Sequence, residues 1–201
     1  MTRRIARGRG WAVGLAATLS SGCATGSSRP PPLPPPVVSA TVAQSDEAPS
    51  FEDLFGRYQH VGGEADVEGR DAGIEVAVEG VFFLGRGLAR DKLRVAAEID
   101  DRLVVSRDGD AIALQLGDRF NLRAPLGGPS TTIVGTDGDE LELTFDKRGA
   151  SLIQLAQGER GGTRRVFTLT EDGELLVHVT IYATQLDEAV EFDLRYRRVG
   201  R

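Results

Sequence analysis

Apolar and polar residues alternate with a period of two through the second half of this chain, and this pattern constrains the fold more than any other feature. Successive side chains of a strand point to opposite faces, so such runs predict strands with one buried face. The alternating runs are Leu103/Val105, Ile112/Leu114/Leu116, Leu141/Leu143/Phe145, Ile153/Leu155, Leu175/Val177/Val179/Ile181 and Val190/Phe192/Leu194/Tyr196.

Turn signals separate these runs. They are Asp108-Gly109, Gly117-Asp118, Asp137-Gly138, Lys147-Arg148-Gly149, residues 158–162 and Asp172-Gly173. Asp-Gly between alternating segments predicts a hairpin, and no helical crossover interrupts the series. We therefore expect a mainly β fold, an antiparallel up-and-down barrel of about eight to ten strands, because closure removes unpaired edges. A two-sheet sandwich is the alternative.

The segment before these strands has a helical pattern. Residues 51–60 are predicted to form a short helical turn or a first strand, and residues 64–94 a helix. Glycines in its second half predict a break near Gly85, giving one long helix or a helix pair. The apolar stripe that defines the helix is Ile74, Val78, Val81, Phe82, Gly85 and Leu88.

One helical segment followed by a strand meander resembles the calycins, which comprise the lipocalins and the fatty-acid-binding proteins. Gly56-Arg57-Tyr58 is similar to the lipocalin Gly-x-Trp motif, with Tyr in place of Trp. Residues 163–167, 172–177 and 195–199 resemble the last three strands of a fatty-acid-binding protein. The resemblance implies that Arg198 or Arg195 stacks on the first-strand aromatic. It also implies an interior arginine two residues before Tyr196, a position that Leu194 occupies here.

The N-terminus has the layout of a secretion signal. Four arginines and no acid precede Trp11, a short apolar run follows, and small residues lead to Cys23, the single cysteine. The segment resembles a bacterial lipoprotein precursor, with Ser20 where the lipobox usually has an aliphatic residue. We expect residues 1–22 to be a signal peptide and Cys23 to carry the lipid. Ordinary cleavage nearby, leaving a free thiol, is the alternative.

The expected location is the bacterial cell envelope. Ala24 after the lipidated cysteine favours the outer membrane, facing the periplasm or the surface. Residues 23–50 are a lipid anchor and a proline-rich linker, which we interpret as a passive tether or a docking site for a proline-binding partner. We expect residues 51–201 to form the calycin-like barrel domain that the resemblance implies. Removing four arginines with the signal takes the formal charge from −6 to −10, so we expect no nucleic-acid partner.

The sequence carries no recognisable catalytic, metal or cofactor motif. His60 and His178 are the only histidines, and no serine elbow accompanies them. The acidic cluster of Asp137, Asp139, Glu140 and Glu142 lacks the spacing of an EF-hand, so a solvated loop is the expectation. We expect neither an enzyme nor a metal site.

The proposed ligand site is the barrel interior. Arg165 shares a strand face with Phe167, and if that face is inward its guanidinium is a candidate headgroup partner; the alternative is an arginine that reaches water at a strand end. The candidate ligand-binding residues are Phe120, Phe145, Arg165, Phe167, Phe192, Tyr196 and Arg198. These aromatics are equally compatible with an ordinary packed core.

Two functions remain open from the sequence. The first is an anchored lipoprotein whose barrel binds a small hydrophobic or amphipathic molecule. The second is a structural or assembly lipoprotein that binds another envelope protein through its barrel rim or helix. An enclosed cavity of a few hundred cubic ångströms, the order typical of ligand sites, favours the first. A packed interior with an exposed apolar patch favours the second.

Overall fold

The computed structural model describes residues 48–136 and 138–200. The predicted signal peptide, Cys23, nearly all of the linker and Asp137 lie outside the described residues. A 3₁₀ turn (Phe51–Leu54) opens the described chain, and ten strands and two helices follow.

The strands form one antiparallel sheet in the order β4-β3-β2-β1-β10-β9-β8-β7-β6-β5. This confirms the predicted strand number and meander topology. Strands that follow each other along the chain are paired, with the exception of β4 and β5, which are the two edges of the sheet. The first strand, β1, also pairs with the last, β10. The strands are β1 (Gly56–His60), β2 (Arg102–Asp108), β3 (Ala111–Leu116), β4 (Phe120–Pro125), β5 (Thr131–Val134), β6 (Glu140–Arg148), β7 (Ser151–Gln157), β8 (Gly161–Leu169), β9 (Glu174–Ala183) and β10 (Val190–Arg198).

The sheet closes almost completely into a barrel. The remaining gap lies between β4 and β5, where Leu126 forms a single parallel bridge with Phe145 of β6. The Gly127 N–H donates to the Phe145 carbonyl at 2.7 Å. These contacts give partners to some of the backbone N–H and C=O groups that open strand edges would leave unpaired.

The 3₁₀ turn closes one end of the barrel. Phe51 and Leu54 are buried, and the turn reaches from β1 across to β7 and β8. The Tyr58 hydroxyl donates to the Leu54 carbonyl at 2.8 Å. The predicted turn and the predicted first strand of residues 51–60 are therefore both present, one after the other.

A helix pair covers the other end. The helices are α1 (Gly63–Glu79) and α2 (Arg86–Ala96), so the predicted break near Gly85 is confirmed. Ile74 and Val78 are buried as predicted, whereas Phe82 and Leu88 are exposed. That part of the stripe was wrong because α1 ends at Glu79, and a helical period cannot be continued through the turn that follows. Of the helices in the described part of the chain, none is long and apolar enough to cross a membrane.

Helix α1 lies against the edge of β10. Gly73 makes this approach possible, because a Cβ there would lie 2.7 Å from the Glu191 carbonyl oxygen. The buried Asp66 carboxylate accepts the Arg195 backbone N–H at 2.7 Å and the Arg195 guanidinium at 3.1 Å. It also lies 3.0 Å from His60 Nε2. One side chain thereby fastens the helix to the strand.

The inward faces of the strands form the core, with one exception to the predicted faces. On β7 the buried residues are Leu152, Gln154 and Ala156, whereas Ile153 and Leu155 lie on the outer face. Each face of this strand carries two apolar residues, so apolarity alone could not identify the inner one. The register to β8 decides it, because Gln154 pairs with Arg165 and Leu152 with the buried Phe167.

Replacing Asp66 with Ala is expected to destabilise the domain by about 2–4 kcal/mol, because it removes the buried carboxylate that accepts the Arg195 backbone N–H and pairs with the Arg195 guanidinium. Urea unfolding of wild type and variant measures the difference. Asp118→Ala is the matched control: Asp118 is 83% exposed and pairs with Arg102, and its loss should cost less than about 1 kcal/mol. Equal losses in the two variants would contradict the role given to Asp66.

Candidate functional site

A small cavity lies inside the barrel under the end of α2. Its volume is about 20 Å³, which is room for about one water molecule. The strands supply a mostly apolar wall, and the α2 end and the segment that follows it supply the cover. Its lining residues are Ala96, Ala97, Glu98, Asp100, Leu103, Leu116, Arg165, Phe167, Val177, Val179, Leu194 and Tyr196.

Arg165 is the charged residue of this interior. It points inward from the middle of β8, in register with Gln154 of β7 and Val179 of β9. The residue is half-buried, and its side chain lines the cavity. Burial lowers the pKa of Arg165 to about 10, against the opposing effect of the Asp100 carboxylate, so the group stays protonated at neutral pH.

The Arg165 guanidinium has little direct compensation. Its hydrogen bond to a side chain runs from Nη1 to Gln154 Oε1 at 2.9 Å. Within residues 48–136 and 138–200, no carboxylate lies at ion-pair distance from it. The Gln154 amide nitrogen is itself buried and has no hydrogen-bond partner among the described residues. Two neighbouring side chains thus have unused donor capacity inside the barrel.

Tyr196 lines the same cavity from β10. Its ring is 2% exposed, and its hydroxyl donates to the Asp100 backbone carbonyl at 3.0 Å. Burial raises the pKa of Tyr196 well above its usual value, with the Asp100 charge acting in the same direction. The hydroxyl therefore remains a neutral donor near Arg165.

The other predicted aromatics divide between the cavity wall and the surrounding core. Phe167 is fully buried and lines the cavity. Phe145 and Phe192 are buried in the same core but do not reach the cavity. Phe120 lies half-buried at the start of β4 under the Arg119 guanidinium, 5.4 Å from its ring centroid. Arg165, Phe167 and Tyr196 are therefore the three predicted residues that the structure brings together.

Arg198 lies away from this cavity, at the end of the barrel that the 3₁₀ turn closes. Its guanidinium stacks over the Tyr58 ring at 5.1 Å and donates to the carbonyls of Asp53 and Phe55 and to the Tyr58 hydroxyl. These contacts use N–H donors of the Arg198 guanidinium that a ligand headgroup would otherwise bind. The stacking is the arrangement expected from the lipocalin resemblance, with Tyr58 in the aromatic position.

The turn between the helices and the first turn of α2 expose large apolar side chains. Phe82, Phe83, Leu84 and Leu88 are 68%, 66%, 77% and 65% exposed. The two phenylalanine rings contact each other with centroids 4.7 Å apart. Large apolar side chains in such a group, rather than singly, are typical of an interaction surface.

The two histidines lie on different parts of the domain. His178 lies on the outer face of β9, half-exposed, with its Nδ1 2.8 Å from the Asp193 carboxylate. His60 lies beside Asp66 and packs edge-on against the Tyr196 ring, with centroids 5.3 Å apart. Neither arrangement places a nucleophilic side chain next to the imidazole among the contacts of the described residues.

Sequence reasoning missed Gln154, Asp100 and Arg119. Gln154 was overlooked because the opposite face of β7 was taken as the inner one. Asp100 and Arg119 belong to short charged segments, Glu98–Asp101 and Asp118-Arg119, that look like ordinary solvated turns. Their proximity depends on the β2–β3 register, which brings the Leu116–Phe120 turn beside the start of β2.

No family model and no curated protein matches the chain. Its fold is similar to solved structures of small barrels at low identity. One is a fatty acid transporter named REP1-NXSQ, with 18% identity, a TM-score of 0.49 and coverage of 75% of this chain and 98% of that one. Another is lipid binding protein 8 of Caenorhabditis elegans, with 15% identity, a TM-score of 0.49 and coverage of 75% and 99%. A third is fatty-acid-binding protein 1 of Echinococcus granulosus, with 16% identity, a TM-score of 0.49 and coverage of 74% and 99%.

Proposed function

We propose that this chain is a membrane-anchored envelope lipoprotein whose barrel binds a small amphipathic molecule, with the anionic group of the ligand at Arg165. The observation that carries the proposal is a protonated arginine inside the barrel, beside a cavity and without a carboxylate at ion-pair distance among the described residues. The activity is binding and involves no chemical reaction.

The cost of burying Arg165 supports this assignment. Removing a cation from water is unfavourable unless an anion or several hydrogen bonds replace the lost hydration. Gln154 supplies one acceptor, which is a small part of the capacity of a guanidinium with five N–H donors. A carboxylate, sulfate or phosphate group would use the remaining donors and would form charge-assisted hydrogen bonds.

The volume of the closed cavity requires that the cover moves. About 20 Å³ accommodates no ligand tail, so the apolar part of a ligand must displace the end of α2. This helix is loosely held, because Leu93 is its one buried residue and most of its other side chains are exposed. An element with so few buried apolar contacts opens at low free-energy cost.

Replacing Arg165 with Met is expected to lower affinity for dodecanoate by at least about tenfold, because a charge-assisted hydrogen bond contributes about 1.5–3 kcal/mol. Titration calorimetry measures the affinity, and Arg123→Met, which changes an exposed arginine of β4, is the control. Lipid extracted from the purified wild-type protein gives a second readout. If no lipid co-purifies and no fatty acid binds, the ligand proposal is wrong.

The second candidate function is docking of another envelope protein at the helix turn. The specific observation is the exposed group of Phe82, Phe83, Leu84 and Leu88, together with an interior that is packed in the closed state. By the criterion set from the sequence, these two features favour an interaction protein. The docking surface and Arg165 are separate, so the two functions are tested by different variants.

A Phe83→Ser/Leu84→Ser variant is expected to lose cross-linking to a specific envelope protein while keeping its unfolding midpoint, because both side chains are already exposed. In-cell cross-linking followed by mass spectrometry measures the loss. Val134→Ser is the matched control, since Val134 is equally exposed but lies on β5. A cross-linking pattern that is the same in all three proteins would reject this surface as a docking site.

The anchor is tested at Cys23. Cells that express the wild-type chain are expected to incorporate radioactive fatty acid into it, and Cys23→Ala is expected to abolish the label and release the protein from the membrane fraction. Several acyl chains give stable anchoring where one gives only marginal binding. Labelling that persists in Cys23→Ala would refute the anchor at this residue.

A further inference from the structure

The segment that follows α2 covers the cavity and carries two acids. Ala96, Ala97, Glu98 and Asp100 are all lining residues. Ala97 is buried, and Ile99 packs partly against the core, so the segment rests on the barrel by small apolar contacts. The Tyr196 hydroxyl donates to the Asp100 carbonyl and the His60 backbone N–H donates to the Asp101 carbonyl, and charged side chains supply further attachment.

Arg119 connects this segment to the turn between β3 and β4. Its Nη1 donates to Glu98 Oε2 at 2.6 Å, and its Nε and Nη2 donate to the two Asp100 carboxylate oxygens at 3.1 and 2.9 Å. The Asp100 contact is bidentate, and its carboxylate is only 10% exposed. Bidentate contact with a poorly hydrated carboxylate is a stronger restraint than a single exposed ion pair.

Asp100 lines the same cavity as Arg165. Among the charged groups near Arg165, Asp100 has the largest favourable effect on its protonated form, while Arg119 opposes it. Asp100 achieves this without a direct hydrogen bond to Arg165. Together Glu98, Asp100 and Arg119 carry one net negative charge, which balances the single positive charge of Arg165.

We propose that residues 96–101 form an electrostatic gate over the binding site, in which Asp100 takes the place of the ligand's anion in the field of Arg165 and Arg119 holds the gate shut. The gate rests on the proposed function for its purpose, but its closure is a property of the ligand-free protein. An anionic ligand at Arg165 competes with Asp100 and so favours opening. A neutral ligand of the same length has no such effect.

The closure itself is tested without any ligand. Hydrogen exchange of the full chain is compared in wild type and Arg119→Gln, and exchange in residues 88–101 is expected to be at least about tenfold faster in the variant, with β8 and β9 unchanged. Arg102→Gln is the matched control, because Arg102 is an exposed arginine that binds Asp118 of the same turn. Unchanged exchange in Arg119→Gln, or an equal increase in Arg102→Gln, would overturn the gate.

The role of the acids is tested with dodecanoate and dodecanol as probes. A Glu98→Gln/Asp100→Asn variant loses the contacts with Arg119 and is expected to bind both probes more tightly than wild type, but its gain for dodecanoate should exceed its gain for dodecanol by about tenfold, because only the anion competes with Asp100. Equal gains for both probes would show a merely steric cover and would contradict the electrostatic part. Failure of every protein to bind either probe would reject the proposed function, while the exchange result would still decide the gate.

Discussion

The short length of β1 is the constraint from which the rest of the architecture follows. β1 has five residues and pairs with only the last part of β10, at Tyr196, Arg197 and Arg198. The preceding residues of β10 therefore have no strand on that side, and their backbone groups need other partners. Val61 supplies one by donating its N–H to the Arg195 carbonyl, and Asp66 accepts the Arg195 N–H. Helix α1 is thus required at this edge.

This placement of α1 determines what covers the barrel. Helix α1 packs against β10, and α2 packs mainly on α1. The Arg90–Glu75 ion pair joins the two helices. The chain must then return from α2 to β2, whose first residues pair with β1. That path takes residues 96–101 directly over the interior, and so brings Asp100 within the field of Arg165. The gate is a consequence of how the sheet closes.

Much of the fold was predictable because strand period and Asp-Gly turns are local signals. The strands that contain Leu103 to Leu116 and Leu175 to Tyr196 show inner faces as apolar as predicted. β7 was the exception, since both of its faces carry apolar residues and the deciding contact, Gln154 with Arg165, is set by pairing with another strand. Phe82 and Leu88 were placed on the apolar stripe of one helix for a related reason: a periodic pattern does not show whether the chain turns beforehand.

The candidate site was less accessible to sequence reasoning than the fold. Arg165, Phe167 and Tyr196 could be identified because they lie on alternating strands, where a face can be counted. Asp100 and Arg119 lie in turns separated by nearly twenty residues, and only the hairpin between β2 and β3 makes them neighbours. Local patterns therefore identified the wall of the site, and long-range pairing determined its cover.

A packed barrel that needed no ligand would be better served by an apolar residue at position 165. Replacing buried charges with apolar side chains of similar volume is often neutral or stabilising. An arginine inside the barrel with one side-chain hydrogen bond therefore lowers the stability of the folded state. Asp100 offsets that cost through space while the barrel is closed, and it lies on the segment that follows α2, a helix with one buried residue. A compensating charge on the segment that covers the cavity suits a binding site, because the same displacement that admits a ligand also removes the charge that the ligand replaces.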